Sequence, residues 1–161
     1  MNFIGFCMFS SETYSIEDCI LYTTTSYNLP PNSGITQISN IEFDNSINWQ
    51  VEWIQNFPSS NCRCLLYPSN DSSQFLGVGT PANNLRVWET NTYSDYGSYS
   101  FNADYHIIFR KESNMISIFA NDNKLKDSTH SATLSASKLR IGVRNWGSGT
   151  GTIRNVKIKP L

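Results

Sequence analysis

Residues 139–161 read LRIGVRNWGSGTGTIRNVKIKPL, and Gly147, Gly149 and Gly151 stand at the spacing that opens a phosphate-cradling loop. Such a loop needs its glycines to lead into a helix, whose first N–H groups converge on the anion. Here they lead into a strand. Ile153, Asn155 and Lys157 alternate with Arg154, Val156 and Ile158 as far as Pro160, a period of two. No Lys-Ser or Lys-Thr follows the glycines, and no acidic residue follows them at dinucleotide distance. The stretch therefore reads as strand, Gly-rich connection, strand.

The same grammar runs outward from this segment. ITQISNIEF (35–43), INWQVEWI (47–54), CRCLLY (62–67), QFLGVG (74–79), NLRVWET (84–90), DYHIIFR (104–110), NMISIFA (114–120) and KLRIGV (138–143) are short runs rich in β-branched and aromatic residues, separated by Asn, Ser, Gly, Asp and Pro. The nearest approach to a helix, DSTHSATLSASKL (127–139), has too many Ser and Thr and too few large apolar residues to hold one. Many strands without helices in one domain leave two packed antiparallel sheets or a barrel, and a two-sheet jelly roll suits 161 residues best. The domain is expected over 16–161, with residues 1–15 as a loosely attached lead-in.

Composition narrows the partners. Charged residues make up 16% of the chain, against roughly 25% in an average domain, while aromatics reach 13%. The surface must be largely neutral and hydrogen-bonding. A net charge of −1 with no run of Lys or Arg argues against nucleic acid and against an anionic membrane surface, and no segment is long and apolar enough to insert in a membrane. The opening MNFIGFCMFSSETYS lacks the basic flank of a secretory signal. Of the four cysteines, Cys62 and Cys64 lie two apart on one strand face and are poorly placed to bond each other. Two readings remain open for the set: buried free thiols, or a Cys7–Cys19 disulfide. Neither pair has the spacing of a zinc site.

Residues 104–125, DYHIIFRKESNMISIFANDNKL, carry a resemblance. A strand with an aromatic and a His at its start and a basic residue at its end, a short polar turn, a second alternating strand and an Asn-Asp-Asn turn resemble the central hairpin of laminin-G-like modules. These belong to the concanavalin A-like lectin/glucanase jelly rolls. The ending, an Ile-Gly-Val strand, a Gly-rich loop and a last strand of form I-x-N-V-K-I, is similar to the close of such modules in bacterial, archaeal and phage surface proteins. The resemblance covers residues 16–161. It implies a cell-surface or virion setting and the possibility of a calcium ion in the rim loops, where Asn70-Asp71 and Asn121-Asp122 are amide and carboxylate clusters without the ligand count of a dedicated site.

Glucanases of the superfamily resemble one another in a strand bearing E-x-D-x-E. The partial match is IEFDNS (41–46), with Glu42 and Asp44 but Ser46 in the third place. In WQVEWIQ, Glu52 stands alone between Gln50 and Ile54 and reads as a solvated face residue. His106 is assigned to the structural hairpin and His130 to a loop. No paired carboxylates stand at strand spacing, so no enzyme is expected.

Strand faces suggest a binding surface instead. Leu85 and Val87 share one face and Arg86 and Trp88 the other; Leu139, Ile141 and Val143 likewise oppose Arg140, Arg144 and Trp146. In INWQVEWI the aromatics take the core side, with Trp49, Val51 and Trp53 against Asn48, Gln50 and Glu52. The expected face thus gathers Arg86, Trp88, Arg144, Trp146, Asn48, Gln50 and Glu52. Aromatic planes beside planar donors and acceptors suit a polyhydroxylated ligand, because rings stack on C–H faces while guanidiniums and amides bond hydroxyl pairs. A second candidate is the loop TNTYSDYGSYS (90–100), where Tyr93, Asp95, Tyr96 and Tyr99 have the composition of recognition loops. The sequence is thus read as a non-catalytic recognition or adhesion module for cell-surface glycans or a surface protein, as at the end of a phage tail or adhesin-like protein. The alternatives are a glycoside hydrolase of the same fold and a structural, self-associating virion domain.

Overall fold

The structure, a computed structural model, describes residues 6–9, 12–15, 19, 21–38, 42–129, 134 and 136–161. In chain order its strands are β1 (Phe6–Phe9), β2 (Glu12–Ser15), β3 (Leu21–Thr23), β4 (Tyr27–Leu29), β5 (Asn32–Gln37), β6 (Phe43–Asp44), β7 (Trp49–Asn56) and β8 (Cys62–Pro68), followed by β9 (Leu76–Thr80), β10 (Asn84–Glu89), β11 (Thr92–Ser98), β12 (Tyr105–Glu112), β13 (Met115–Ala120), β14 (Asn123–Thr129), β15 (Lys138–Asn145) and β16 (Gly151–Pro160). No helix occurs among the described residues, so none is long and apolar enough to cross a membrane. His130 lies outside the described residues.

Two antiparallel sheets form the body. One runs β11-β10-β9-β8-β15-β5, with β6 also on β15; the other runs β14-β13-β12-β7-β16-β3, with β4 also on β16. The β1–β2 hairpin is a two-stranded sheet of its own. The order explains the jelly roll. β7 and β8 are consecutive but belong to different sheets, as are β15 and β16, so the chain crosses the sandwich at residues 57–61 and again at 146–150. That second crossing is the Gly-rich connection. A Cβ on Gly147 would lie 2.1 Å from the Ser60 carbonyl oxygen, and Gly149 adopts φ +92°, so these glycines let two crossings pack side by side.

The aliphatic faces meet between the sheets. Trp49, Val51 and Trp53 from β7, Ile107 and Phe109 from β12, and Ile116 and Ile118 from β13 form one buried cluster with Cys62, Cys64 and Leu66 of β8, Val78 of β9, Val87 of β10 and Ile141 and Val143 of β15. Each such side chain contributes about 1.5–3 kcal/mol on burial. Trp53 stacks on Phe109 at 5.2 Å between ring centroids. The two core indoles bring N–H groups that need acceptors. Trp49 Nε1 donates to Asn45 Oδ1 at 3.1 Å, and Trp53 Nε1 to Gln55 Oε1 at 3.1 Å.

Strict alternation fails in β16. It would set Ile153 opposite Val156 and Ile158, yet all three are buried in the same core. The register with β7 shifts between Arg154 and Lys157, and Asn155 takes φ +53°. This is a β-bulge, whose extra residue returns the following side chains to the core side.

Cys62 and Cys64 are buried free thiols pointing into the core. Cys19 is disulfide-bonded, so the free-thiol reading does not hold for the whole set. The side chain of Cys7 lies outside the described residues.

Candidate functional site

Beneath the outer face of the β11-β10-β9-β8-β15-β5 sheet, the strand registers line up a row of residues. Arg144 of β15 is the direct partner of Arg63 of β8, Arg63 of Gly79 of β9, Gly79 of Arg86 of β10, and Arg86 of Asp95 of β11. One step along the strands a second row runs Gly142, Leu65, Gly77, Trp88, Tyr93. Glycines floor this face because large side chains fold across it. A Cβ on Gly77 would come within 2.6 Å of Leu65 Cδ2, and one on Gly142 within 2.8 Å of Tyr67 Cε1. Leu65, Tyr67 and Phe75 form a small apolar cluster there, with Ile35 and Trp88 packed on it.

Guanidiniums lie over the aromatic rings. The Arg63 carbon Cζ stands 4.6 Å from the Trp146 ring centroid, 5.0 Å from that of Trp88 and 4.9 Å from that of Phe75. Arg144 approaches Trp146 and Phe75 at 5.5 Å each, and Arg86 lies 3.7 Å over Tyr93. Such contacts contribute about 0.5–2 kcal/mol each, more where water is excluded. Arg86 is further held by a two-point ion pair, Nε to Asp95 Oδ1 at 2.5 Å and Nη2 to Oδ2 at 2.8 Å. That pairing keeps the Asp95 carboxyl below the usual range. Between these groups is a pocket of about 210 Å³ lined by Arg63, Arg86, Trp88 and Trp146 together with Asn61, Cys62 and Pro81. Trp146 stands at its edge, 47% exposed, with Nε1 donating to the Ser33 carbonyl at 3.1 Å.

Six of the eleven candidate residues therefore share one surface: Arg86, Trp88, Tyr93, Asp95, Arg144 and Trp146. Tyr96 and Tyr99 do not. Residues 92–98 are strand β11, joined to β10 by the two-residue turn Thr90-Asn91, and not a loop. The period of two sends Tyr93 and Asp95 outward and Tyr96 toward the core, against which it packs. Tyr99 is buried, its ring stacked on Tyr105 at 4.2 Å.

Arg63, which lines the pocket and lies over the rings of Phe75, Trp88 and Trp146, was not among the residues picked out from the sequence. Its position between two core-facing cysteines already places it on the outer face. Burial, and then the charge of Arg144, hold its pKa down at about 10, which leaves it a cation at neutral pH.

Gln50 and Glu52 of β7, and Asn48 just before it, belong elsewhere, because β7 lies in the opposite sheet. Glu52 is not solvated: it is buried, 3.0 Å from Lys157 Nζ and 3.6 Å from His106 Nε2, and accepts from Gln50 Nε2 at 3.2 Å. Burial pushes its carboxyl up, but the contacts from His106 and Lys157 outweigh this and leave its pKa below the ordinary value. A pocket of about 280 Å³ there is lined by Glu52, Ile54, His106, Asn155 and Lys157, with a single carboxylate. Glu42 is committed to Arg140, with Nε donating at 3.0 Å, and Asp44 caps the Ser46 N–H at 2.7 Å.

Among the described residues no three His, Cys, Asp or Glu side chains gather as a metal site. The suspected clusters make turns. Asp71 Oδ1 accepts from the Ser73 N–H at 2.9 Å and from its hydroxyl at 2.6 Å. Asn121 and Asp122 take φ +48° and +65° between β13 and β14, the conformation of a tight hairpin turn.

No protein-family model matches the sequence, and no curated protein matches it. Solved structures do match in shape. The carbohydrate-binding module CBM66 from Bacillus subtilis superposes with a TM-score of 0.55 at 13% identity, over 85% of this chain and 96% of the module. The tail fibre protein gp63.1 from E. coli phage G7C gives 0.61 at 10% identity, over 92% of this chain and 22% of the fibre protein. An alginate lyase from polysaccharide lyase family 7 gives 0.58 at 11% identity, over 86% and 69%. At these identities the likeness is one of fold, and the chain shares with them a two-sheet antiparallel jelly-roll sandwich.

Proposed function

We propose that this chain is a non-catalytic recognition module that binds a glycan on the outer face of the β11-β10-β9-β8-β15-β5 sheet. The observation that carries the reading is the exposed Trp146 ring beside Trp88 in one pocket with the guanidiniums of Arg63 and Arg86, while Arg144 lies against the same Trp146 ring. An exposed indole gives a sugar ring a stacking plane, and guanidinium N–H groups reach adjacent hydroxyls. The likeness to a carbohydrate-binding module supports this, and the likeness to part of a phage tail fibre supports placement outside the cell or on a virion, attached to a cell-surface glycan or glycoprotein. Peripheral calcium is not required by this reading. A glycan array probed with the wild-type domain and with Trp146→Ala tests it: hits lost in the variant support the face, and an array blank for both removes the reading.

A second reading, a hydrolase or lyase, draws on the buried, ionised Glu52 beside His106 and on the likeness to the alginate lyase. Glycoside hydrolysis needs two carboxyl groups about 5–9 Å apart, and this pocket has one. Release of reducing ends from a polysaccharide, abolished by Glu52→Gln, would establish the enzyme.

A further inference from the structure

Arg63 and Arg144 face each other across β8 and β15. Like charges placed directly opposite on antiparallel strands repel, and sheets ordinarily avoid or neutralise such a pair. The third guanidinium of the row has its counter-charge, since Arg86 holds Asp95. Farther along β15, Arg140 has Glu42. For Arg63 and Arg144 no side-chain hydrogen bond or ion pair occurs among the described residues, and Arg63 Nε is buried without an acceptor. Both planes are fixed by the rings of Phe75 and Trp146. Rings cover the faces of a guanidinium and leave its edge, where the N–H donors lie, for a ligand.

Resting on the glycan-binding reading above, we infer that the sugar recognised is acidic, with its carboxylate or sulfate group seated against the paired edges of Arg63 and Arg144 while the ring stacks on Trp146. Two hydroxyls would satisfy some N–H donors, but only an anion also removes the repulsion between the guanidiniums. Planar forks bind carboxylates and oxyanions through two parallel N–H···O bonds, stronger than bonds to neutral hydroxyls. Three arginines against the single Asp95 leave an excess of positive charge on this face of a chain whose net charge is −1. The positive field is therefore local to the pocket.

The test uses matched pairs on one array: uronic acid oligosaccharides with their carboxyl-reduced forms, sialylated glycans with their desialylated forms, and sulfated galactans with their desulfated forms. The expected result is at least one pair in which the acidic member binds ten-fold or more tightly, with affinity falling as salt rises, and the arm that responds identifies carboxylate or sulfate. Arg144→Gln should abolish the preference while the domain keeps its melting temperature, and Arg144→Lys should retain part of it. Equal binding of both members of every responding pair overturns the inference and leaves the glycan reading standing. Silence of every pair also overturns it, and overturns the glycan reading with it where the rest of the array is blank too.

Discussion

Arg63 and Arg144 are direct cross-strand partners on the outer face of the sandwich, each stacked on Trp146, and no carboxylate stands between them among the described residues. A contact of this kind costs stability. Arg144→Gln relieves a repulsion of about 0.2–1 kcal/mol and gives up the cation–π contacts with Trp146 and Phe75, about 0.5–1 kcal/mol each at exposed positions, so stability should change by no more than about 1 kcal/mol, read as a shift of the urea midpoint at constant slope. A loss above that size would mean that Arg144 is a structural brace.

The four tryptophans should separate by face. Trp49 and Trp53 are fully buried with satisfied indole N–H groups, so Ala at either site should cost about 3–5 kcal/mol. At Trp146, half exposed in a loop, the loss should be about 1–2 kcal/mol, from its cation–π contacts with Arg63 and Arg144. Trp88 packs on the Leu65–Tyr67–Phe75 cluster and should fall between them. Urea unfolding of the four single mutants gives the ranking.

Gly79 tests the glycine floor. A Cβ there would lie 2.1 Å from the Cys62 carbonyl oxygen and 2.5 Å from Arg63 Cα, both backbone atoms of β8. Gly79→Ala must therefore push β8 and β9 apart, at a cost of about 1–3 kcal/mol. Gly97, with open space around it, takes φ +82°. Its replacement by Asn, which tolerates that conformation, should be nearly neutral, and the two melting temperatures should diverge accordingly.

Acid should destabilise the domain partly through Glu52. Its native pKa lies below the ordinary value of 4.5. The stabilisation is thus fully present above the unfolded-state pKa and is lost as pH falls through the native one. Glu52→Gln should melt lower than wild type at pH 7, and the gap should narrow below about pH 4. Because Glu42, Asp95 and Asp104 are also held low by arginine partners, the difference between variant and wild type isolates Glu52, whereas the wild-type curve alone does not.

The two-sheet core was legible in the sequence because alternation is a local property. Leu85 and Val87, or Ile141 and Val143, declare their face without reference to any other strand. What alternation cannot reveal is which strands share a sheet. Gln50 and Glu52 point away from the core just as Arg86 and Trp88 do, but the crossing at 57–61 puts them on the opposite side of the molecule. Tyr96 and Tyr99 were misplaced for a related reason. Their Ser-, Gly- and Asn-rich surroundings look like a loop, and only pairing with β10 makes residues 92–98 a strand. The bulge at Asn155 changes the phase of β16 through one positive φ, which the residue type permits but does not announce.

The most direct measurement of the central claim is the affinity of the strongest array ligand for wild type, Trp146→Ala and Trp53→Ala by isothermal titration, beside their unfolding curves. Stacking on the outer face predicts that Trp146→Ala weakens binding by about 1–3 kcal/mol, roughly 5- to 150-fold, with a much smaller loss of stability than Trp53→Ala. It also predicts that Trp53→Ala loses stability but keeps its affinity wherever it remains folded. An affinity unchanged in Trp146→Ala, with binding still present, would contradict the account and move the ligand off this face.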